Sequence, residues 1–227
     1  EVMAGGQFLP EAGLPLSTAE LAEAEREEVL AFLAERPVHT VAVAGLIRDN
    51  GVESPHNRGV FYGTRNSAGR LEGVALVGHH TLCEARTRRA RRELALAAQV
   101  STRTHMIMGP AEEVEEFWSH YADEGQQMRR VCRELLFELT RAVDCGAEVE
   151  GLRLAAAADL DAVVPVHAGL CEAESAVNPL DTDPEGFRAR CLRRIEQGRT
   201  YVLMSEDGRL LFKADVQSHT PEVIYLE

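Results

Sequence analysis

Glu172, Glu174, Asp181 and Asp183 place four carboxylates around Asn178 in one short stretch, and a cluster of that sign can hold a cationic amine or simply sit in water. Just upstream is His167, whose side chain titrates near neutral pH and could take a proton from such an amine; a histidine satisfied within a core is the commoner role. Lys213 is the single lysine of the chain. Codon bias towards arginine accounts for that skew, and a lone lysine on a central hairpin is at the same time a candidate site. Arg86 to Arg92 holds five arginines in seven residues, a pattern that could attract an anion or a nucleic acid. At about 100° per residue they point all round a helix, so a solvated helix start is the plainer reading.

The rest of the composition narrows these options. A net charge of −13 over 227 residues repels a polyanion, so nucleic acid is not an expected partner. No run approaches the roughly 18 apolar residues of a membrane span, and no basic region followed by an apolar one opens the chain. Neither a membrane partner nor export is expected, which leaves a cytoplasmic protein. Cys83, Cys132, Cys145, Cys171 and Cys191 form no Cys-x-x-Cys pair, and their odd number suits free thiols in a reducing compartment, with no metal site.

The elements that must position these residues are written twice. Gly59 to Thr81 matches Gly198 to Thr220 at Gly59/Gly198, Tyr62/Tyr201, Gly69/Gly208, Arg70/Arg209, Leu71/Leu210, Ala75/Ala214, Val77/Val216, His80/His219 and Thr81/Thr220, every pair 139 apart. Each copy is a β-rich run, a polar tip ending in Gly69 or Gly208, and a returning run, which is the pattern of a hairpin. Two copies so far apart predict two related domains and no solenoid. The boundaries are a loose leader over 1–16, a first domain over 17–147 and a second over 148–227, the second being incomplete.

Within the first domain, Ser17 to Glu20 has the spacing of a capping box and opens a helix burying Leu21, Val29, Leu30 and Leu33, with Pro37 as its stop. Val38 to Leu46 fits a buried strand or a short helix. His105 to Met108 reads as a strand, and Gly109-Pro110 opens a helix with Val114, Phe117, Trp118 and Tyr121 inward. Leu135, Phe137 and Leu139 alternate as in a strand, although Val131, Leu135, Leu139 and Val143 also fit a helix. In the second domain Leu152 to Leu154 is a strand, and Asp159 caps a helix bent at Pro165 that buries Leu160, Val163, Val164, His167 and Cys171. An acidic loop over 172–183 follows, then a helix started by Asp183-Pro184 with Phe187, Cys191, Leu192 and Ile195 inward, the second hairpin, and a strand from Val223 to Leu226.

Strand, kinked helix, acidic loop, helix, central hairpin and a further strand is the order of the first half of a GCN5-related N-acetyltransferase (GNAT). From Gly151 onward the chain resembles that superfamily, with Pro221 to Glu227 similar to its fourth strand. The whole chain resembles bacterial tandem-GNAT proteins whose degenerate N-terminal copy carries a stretch like Arg133 to Leu139. The resemblance implies an α/β (α+β) fold of two domains, each a mixed, mostly antiparallel sheet flanked by helices. It implies an N-acetyltransferase that uses acetyl-CoA as co-substrate and acts on a small-molecule or protein amine, with no metal. Glu227 is then the candidate base that takes the ammonium proton, with Glu222 behind it, and Glu172, Glu174, Asn178 and Asp181 lie where the acceptor would be contacted. The pyrophosphate motif of the superfamily, Arg/Gln-x-x-Gly-x-Gly/Ala after the fourth strand, does not follow Thr81, and in the second copy it would lie beyond Glu227. By the repeat, about sixty further residues would complete that copy. On that reading the chain as given is inactive, and the open edge near residues 223–226 is expected to favour self-association. The other class compatible with the pattern is a GNAT-like module that binds a ligand or partner without acyl transfer.

Overall fold

A computed structural model describes residues 15–101, 104–141, 143–144 and 146–227. The leader expected over 1–16 therefore lies almost wholly outside the described residues, as does Cys145. The chain divides into two compact units, one of residues 1–33 and 50–124, the other of residues 34–49 and 125–227.

The first unit is built on β1 (Ser17–Glu20), α1 (Arg26–Leu33), β2 (Gly59–Arg65), β3 (Leu71–Gly78) and β4 (His80–Ala85). The helix α2 (Pro37–Asn50) follows α1 in the chain but groups, up to Asp49, with the second unit. After β4 come α3 (Arg88–Ser101), β5 (Met106–Met108) and α4 (Ala111–Tyr121). The strand order is β1-β2-β3-β4-β5, antiparallel except for the parallel pair β4 and β5. One face of β3 presents Ala75 and Val77 to a core made with Leu94, Ala95 and Ala98 of α3 and Phe117 and Tyr121 of α4. The alternate residues Val74 and Leu76, with Phe61 opposite Leu76, are buried on the other face, towards α1.

The second unit contains β6 (Leu152–Leu154), α5 (Leu160–Ser175), α6 (Pro179–Thr182), α7 (Pro184–Glu196), β7 (Thr200–Met204), β8 (Leu210–His219) and β9 (Ile224–Leu226). Its sheet is antiparallel in the order β6-β7-β8-β9. The architecture is thus α+β, with one mixed and one antiparallel sheet flanked by helices. Leu160, Val163, Val164 and Ala168 of α5 pack with Phe187, Cys191 and Ile195 of α7 over Val202. The opposite face of this sheet leaves Leu152, Leu154, Tyr201 and Phe212 exposed.

The repeat extends beyond its identities to the register. Arg65 faces Leu71 and Thr64 faces Gly73 around a bulge; Met204 faces Leu210 and Leu203 faces Phe212 around the same bulge. Gly69 and Gly208 close the two tips at the same positive φ of 79°, a conformation that costs a glycine nothing. Before each hairpin a carboxylate, Glu25 or Asp159, accepts the backbone N–H three residues earlier, from Ala22 or Ala156. The correspondence ends at the far end of the hairpin. His80 begins β4 whereas His219 ends β8, and Leu76 pairs with Leu82 whereas the equivalent Asp215 pairs with Glu227, so the β8–β9 hairpin is the longer one.

Several sequence expectations are corrected. Ser17 to Glu20 is a strand paired with β2, and Thr18 hydrogen-bonds Thr64; the capping carboxylate is Glu25, five residues on. Pro37 starts a helix in place of stopping one, its missing N–H being free of cost at a first turn, and Val38 to Leu46 is helical. The alternation at Leu135, Phe137 and Leu139 buries nothing, and among the described residues of 122–151 there is no helix or strand. The acidic stretch is mostly helical, since α5 continues through Glu172 and Glu174 to Ser175 and Asp181 lies in α6. Asp159 precedes α5 but reaches back to Ala156 and Arg153, whose hydrogen bonds hold its carboxyl down to about 2.

A Cβ at Gly78 would lie 2.2 Å from the Arg58 carbonyl oxygen and 2.5 Å from the Gly59 Cα, whereas one at Gly169, within α5, meets open space. Gly78→Ala is therefore expected to destabilise by about 1–3 kcal/mol through forced backbone shifts. Gly169→Ala is expected to stabilise by about 0.5–1 kcal/mol. Urea unfolding of both variants checks the pair of signs.

Candidate functional site

Lys213 and Asp215 alternate along β8 and so share the face that α5 and α7 cover, with Val202 and Thr200 opposite them on β7. The Asp215 carboxylate is 1% exposed and takes three donors: the Thr200 hydroxyl at 2.7 Å, the Lys213 ammonium at 2.6 Å and the Arg194 guanidinium at 3.0 Å. Burial works to raise its pKa, but the hydrogen bond from Lys213, the charge of Arg194 and the bond from Thr200 outweigh it, and the group stays ionised. His167, on α5, lies 3.5 Å from the Lys213 nitrogen through Nδ1 and stacks on the Phe187 ring. Burial, then the charges of Lys213 and Arg194, push it down to about 4. It is neutral at pH 7 and turns an acceptor nitrogen to a lysine, which suits a packed layer and not a free base.

Glu227, the residue after β9, joins this layer. Its backbone N–H and C=O exchange bonds of 3.0 and 2.9 Å with Asp215, and directly opposed residues share a face. The side chain keeps solvent exposure, yet burial by the surrounding protein and the Glu174 carboxylate raise its pKa against the opposing pull of Arg194 and Lys213. Glu174, in the last turn of α5, is itself raised by burial and by Glu134. The structure thus brings two of the sequence candidates, Glu227 and Glu174, to one place. The others go elsewhere: Glu172 accepts from Asn178, Asn178 caps Leu180, Asp181 is exposed on α6, and Glu222 is exposed in the turn before β9.

Cys83, Cys132, Cys171 and Cys191 are free thiols. Burial pushes Cys83 up to about 12 and raises Cys171 and Cys191, so these three are held away from the thiolate form. Of the arginine run, Arg91 is buried against Glu113 and Glu116 of α4, and Arg86 donates to the Leu71 carbonyl and lies over the Phe32 ring. Among the described residues no group of three or more His, Cys, Asp or Glu is placed to hold a metal, and no helix is long and apolar enough to cross a membrane.

The two units make the polar layer stand out. Thr200, Lys213 and Asp215 occupy the positions held in the first unit by Phe61, Val74 and Leu76, and, counted from the equivalent carboxylates Asp159 and Glu25, His167 occupies that of Leu33. Those four apolar side chains are at most 1% exposed. Lys213 is legible as the single lysine, Thr200 and Asp215 carry a signal only once the two copies are set in register, and Arg194 carries none. Comparisons with protein-family models, curated proteins and solved structures give no match.

Since the same backbone accommodates an apolar layer, restoring one with Lys213→Val plus Asp215→Leu is expected to leave stability unchanged or to raise it by about 1–4 kcal/mol. Asp215→Leu alone strands the buried Lys213 ammonium and is expected to cost about 3–5 kcal/mol. A double-mutant cycle by chemical denaturation reads both; equal losses in the single and double variants would contradict the layer's description.

Proposed function

We propose that the second unit is the acceptor-binding half of an acetyl-CoA-dependent N-acyltransferase, with Glu227 as its base. The observation that carries this reading is the place of Glu227: at the end of β9, opposite Asp215, with its carboxyl raised by burial and by Glu174. A carboxyl moved up from its usual range is better matched to a proton on an amine at neutral pH than an ordinary one. Two units on one register, with the element order strand, helix, short helix, helix, hairpin and strand in the second, agree with the tandem-GNAT resemblance.

Acetyl-CoA would supply an acyl carbon activated as a thioester. Glu227 would take one proton from the acceptor ammonium, the freed nitrogen lone pair would form the C–N bond as the C–S bond breaks, and the second nitrogen proton would pass to the departing sulfur, so that amide and free thiol are the products and Glu227 returns its proton to solvent. The fixed Asp215 layer holds β8, and through it the Glu227 backbone, so that the base keeps one position during the transfer. The raised thiols of Cys171 and Cys191 favour direct attack by the amine over transfer through a cysteine.

The test is amine-dependent thiol release from acetyl-CoA by the protein produced from its whole gene. Glu227→Gln is expected to lower kcat by about 100-fold or more. Because the base must be deprotonated to act, activity falls as pH drops through its pKa, so the acid limb of the wild-type profile should lie above the ordinary glutamate value of 4.5. No thiol release with any amine, or an unchanged rate in Glu227→Gln, would overturn the reading.

A further inference from the structure

We propose that the Lys213–Asp215–Arg194 layer and the Glu227/Glu174 pair are the two poles of a site for a zwitterionic acceptor, an amine that carries a carboxylate close to its amino group. This rests on the acyltransferase reading of Glu227 and names the substrate class.

The first argument is that the fold does not need the charges. Phe61, Val74, Leu76 and Leu33 fill the equivalent layer of the first unit in the same register. Burying an ammonium and a carboxylate there works against stability unless geometry repays it, so their presence in one unit alone points to a ligand. The second argument is where the charges lie. Lys213 is enclosed with Asp215, while Arg194 is only partly covered, so the layer turns a guanidinium outward that the carboxylate of a ligand could meet.

Arg194 is the group that can reach such an anion. Its side chain is 29% exposed while those of Lys213 and Asp215 are 5% and 1% exposed, and it donates to Asp215 through one nitrogen. A guanidinium has five N–H donors in a planar fork that fits a carboxylate. At the other pole, among the described residues no side chain donates to the carboxyl of Glu227 or of Glu174, and each is raised, Glu227 by burial and then by Glu174 itself. An ammonium beside these two carboxyls would supply the missing donors. The poles are close, because Glu227 and Asp215 form a hydrogen-bonded pair on adjacent strands, with Cα atoms about 5.5 Å apart in such pairs. Neighbouring poles suit a ligand whose ammonium and carboxylate lie close together, of which an α-amino acid is the simplest.

The experiment is calorimetric binding of the common amino acids to the whole protein, each beside its carboxamide, which keeps the ammonium and removes the negative charge. At least one amino acid should bind about tenfold or more tightly than its amide, and Arg194→Gln should remove most of that difference. Equal binding of acid and amide, or no binding by any member, would overturn the assignment. The wild-type comparison stands even where the variant fails to fold. Carboxylate-selective binding without amine-dependent thiol release would contradict the acyltransferase reading and leave this site standing; thiol release with no carboxylate preference would do the reverse.

Discussion

The Asp215 carboxylate, surrounded by the Thr200 hydroxyl, the Lys213 ammonium and the Arg194 guanidinium, ties together β7, β8 and α7. Without those three donors a charge 1% exposed would be untenable. His167 adds α5 to the same layer through its contact with Lys213. The long β8–β9 hairpin then decides which residue lies opposite Asp215. In the first unit the shorter turn brings Leu82 against Leu76, and in the second the extension brings Glu227 against Asp215. A change in turn length and a change from apolar to charged side chains therefore act together to make a charged surface out of a hydrophobic layer.

The first unit serves as an internal reference for this conversion. It keeps the strand register, the bulge and the glycine at the hairpin tip, yet its layer facing α1 is leucine, valine and phenylalanine. It has a buried charge of its own, Arg91 on α3, which pairs with Glu113 and Glu116 on α4 and so joins two helices. Arg86 likewise spends its charge on the Leu71 carbonyl and the Phe32 ring. The arginine-rich start of α3 is accordingly better understood as helix surface and helix pairing than as an anion patch.

Much of the fold was legible because its signals are local. Gly69 and Gly208 mark turns that demand positive φ, Asp183-Pro184 marks a helix start, and the offset of 139 carries the second hairpin from the first. Errors arose where a local pattern was overruled by pairing. Ser17-Thr18-Ala19-Glu20 has the letters of a helix cap, but the edge of β2 takes it as a strand, and the alternation around Phe137 found no sheet to join. The polar layer stayed hidden for a different reason. Identities between the copies reveal the shared backbone, whereas the site resides in the mismatches Phe61/Thr200, Val74/Lys213 and Leu76/Asp215 within that shared register. Arg194 had no such cue, being one arginine among many on a helix.

The central claim, that a charged layer replaces an apolar one inside the second unit, can be read directly because Lys213 is the only lysine. Lysine labelled with nitrogen-15 gives a single side-chain ammonium signal to follow by NMR. The structure predicts an ammonium whose protons exchange slowly with water at neutral pH, held by Asp215, and whose signal shifts and loses that protection in Asp215→Asn. A signal broadened by fast exchange in the wild type and unaffected by Asp215→Asn would mean that the lysine lies in solvent, and would contradict the account.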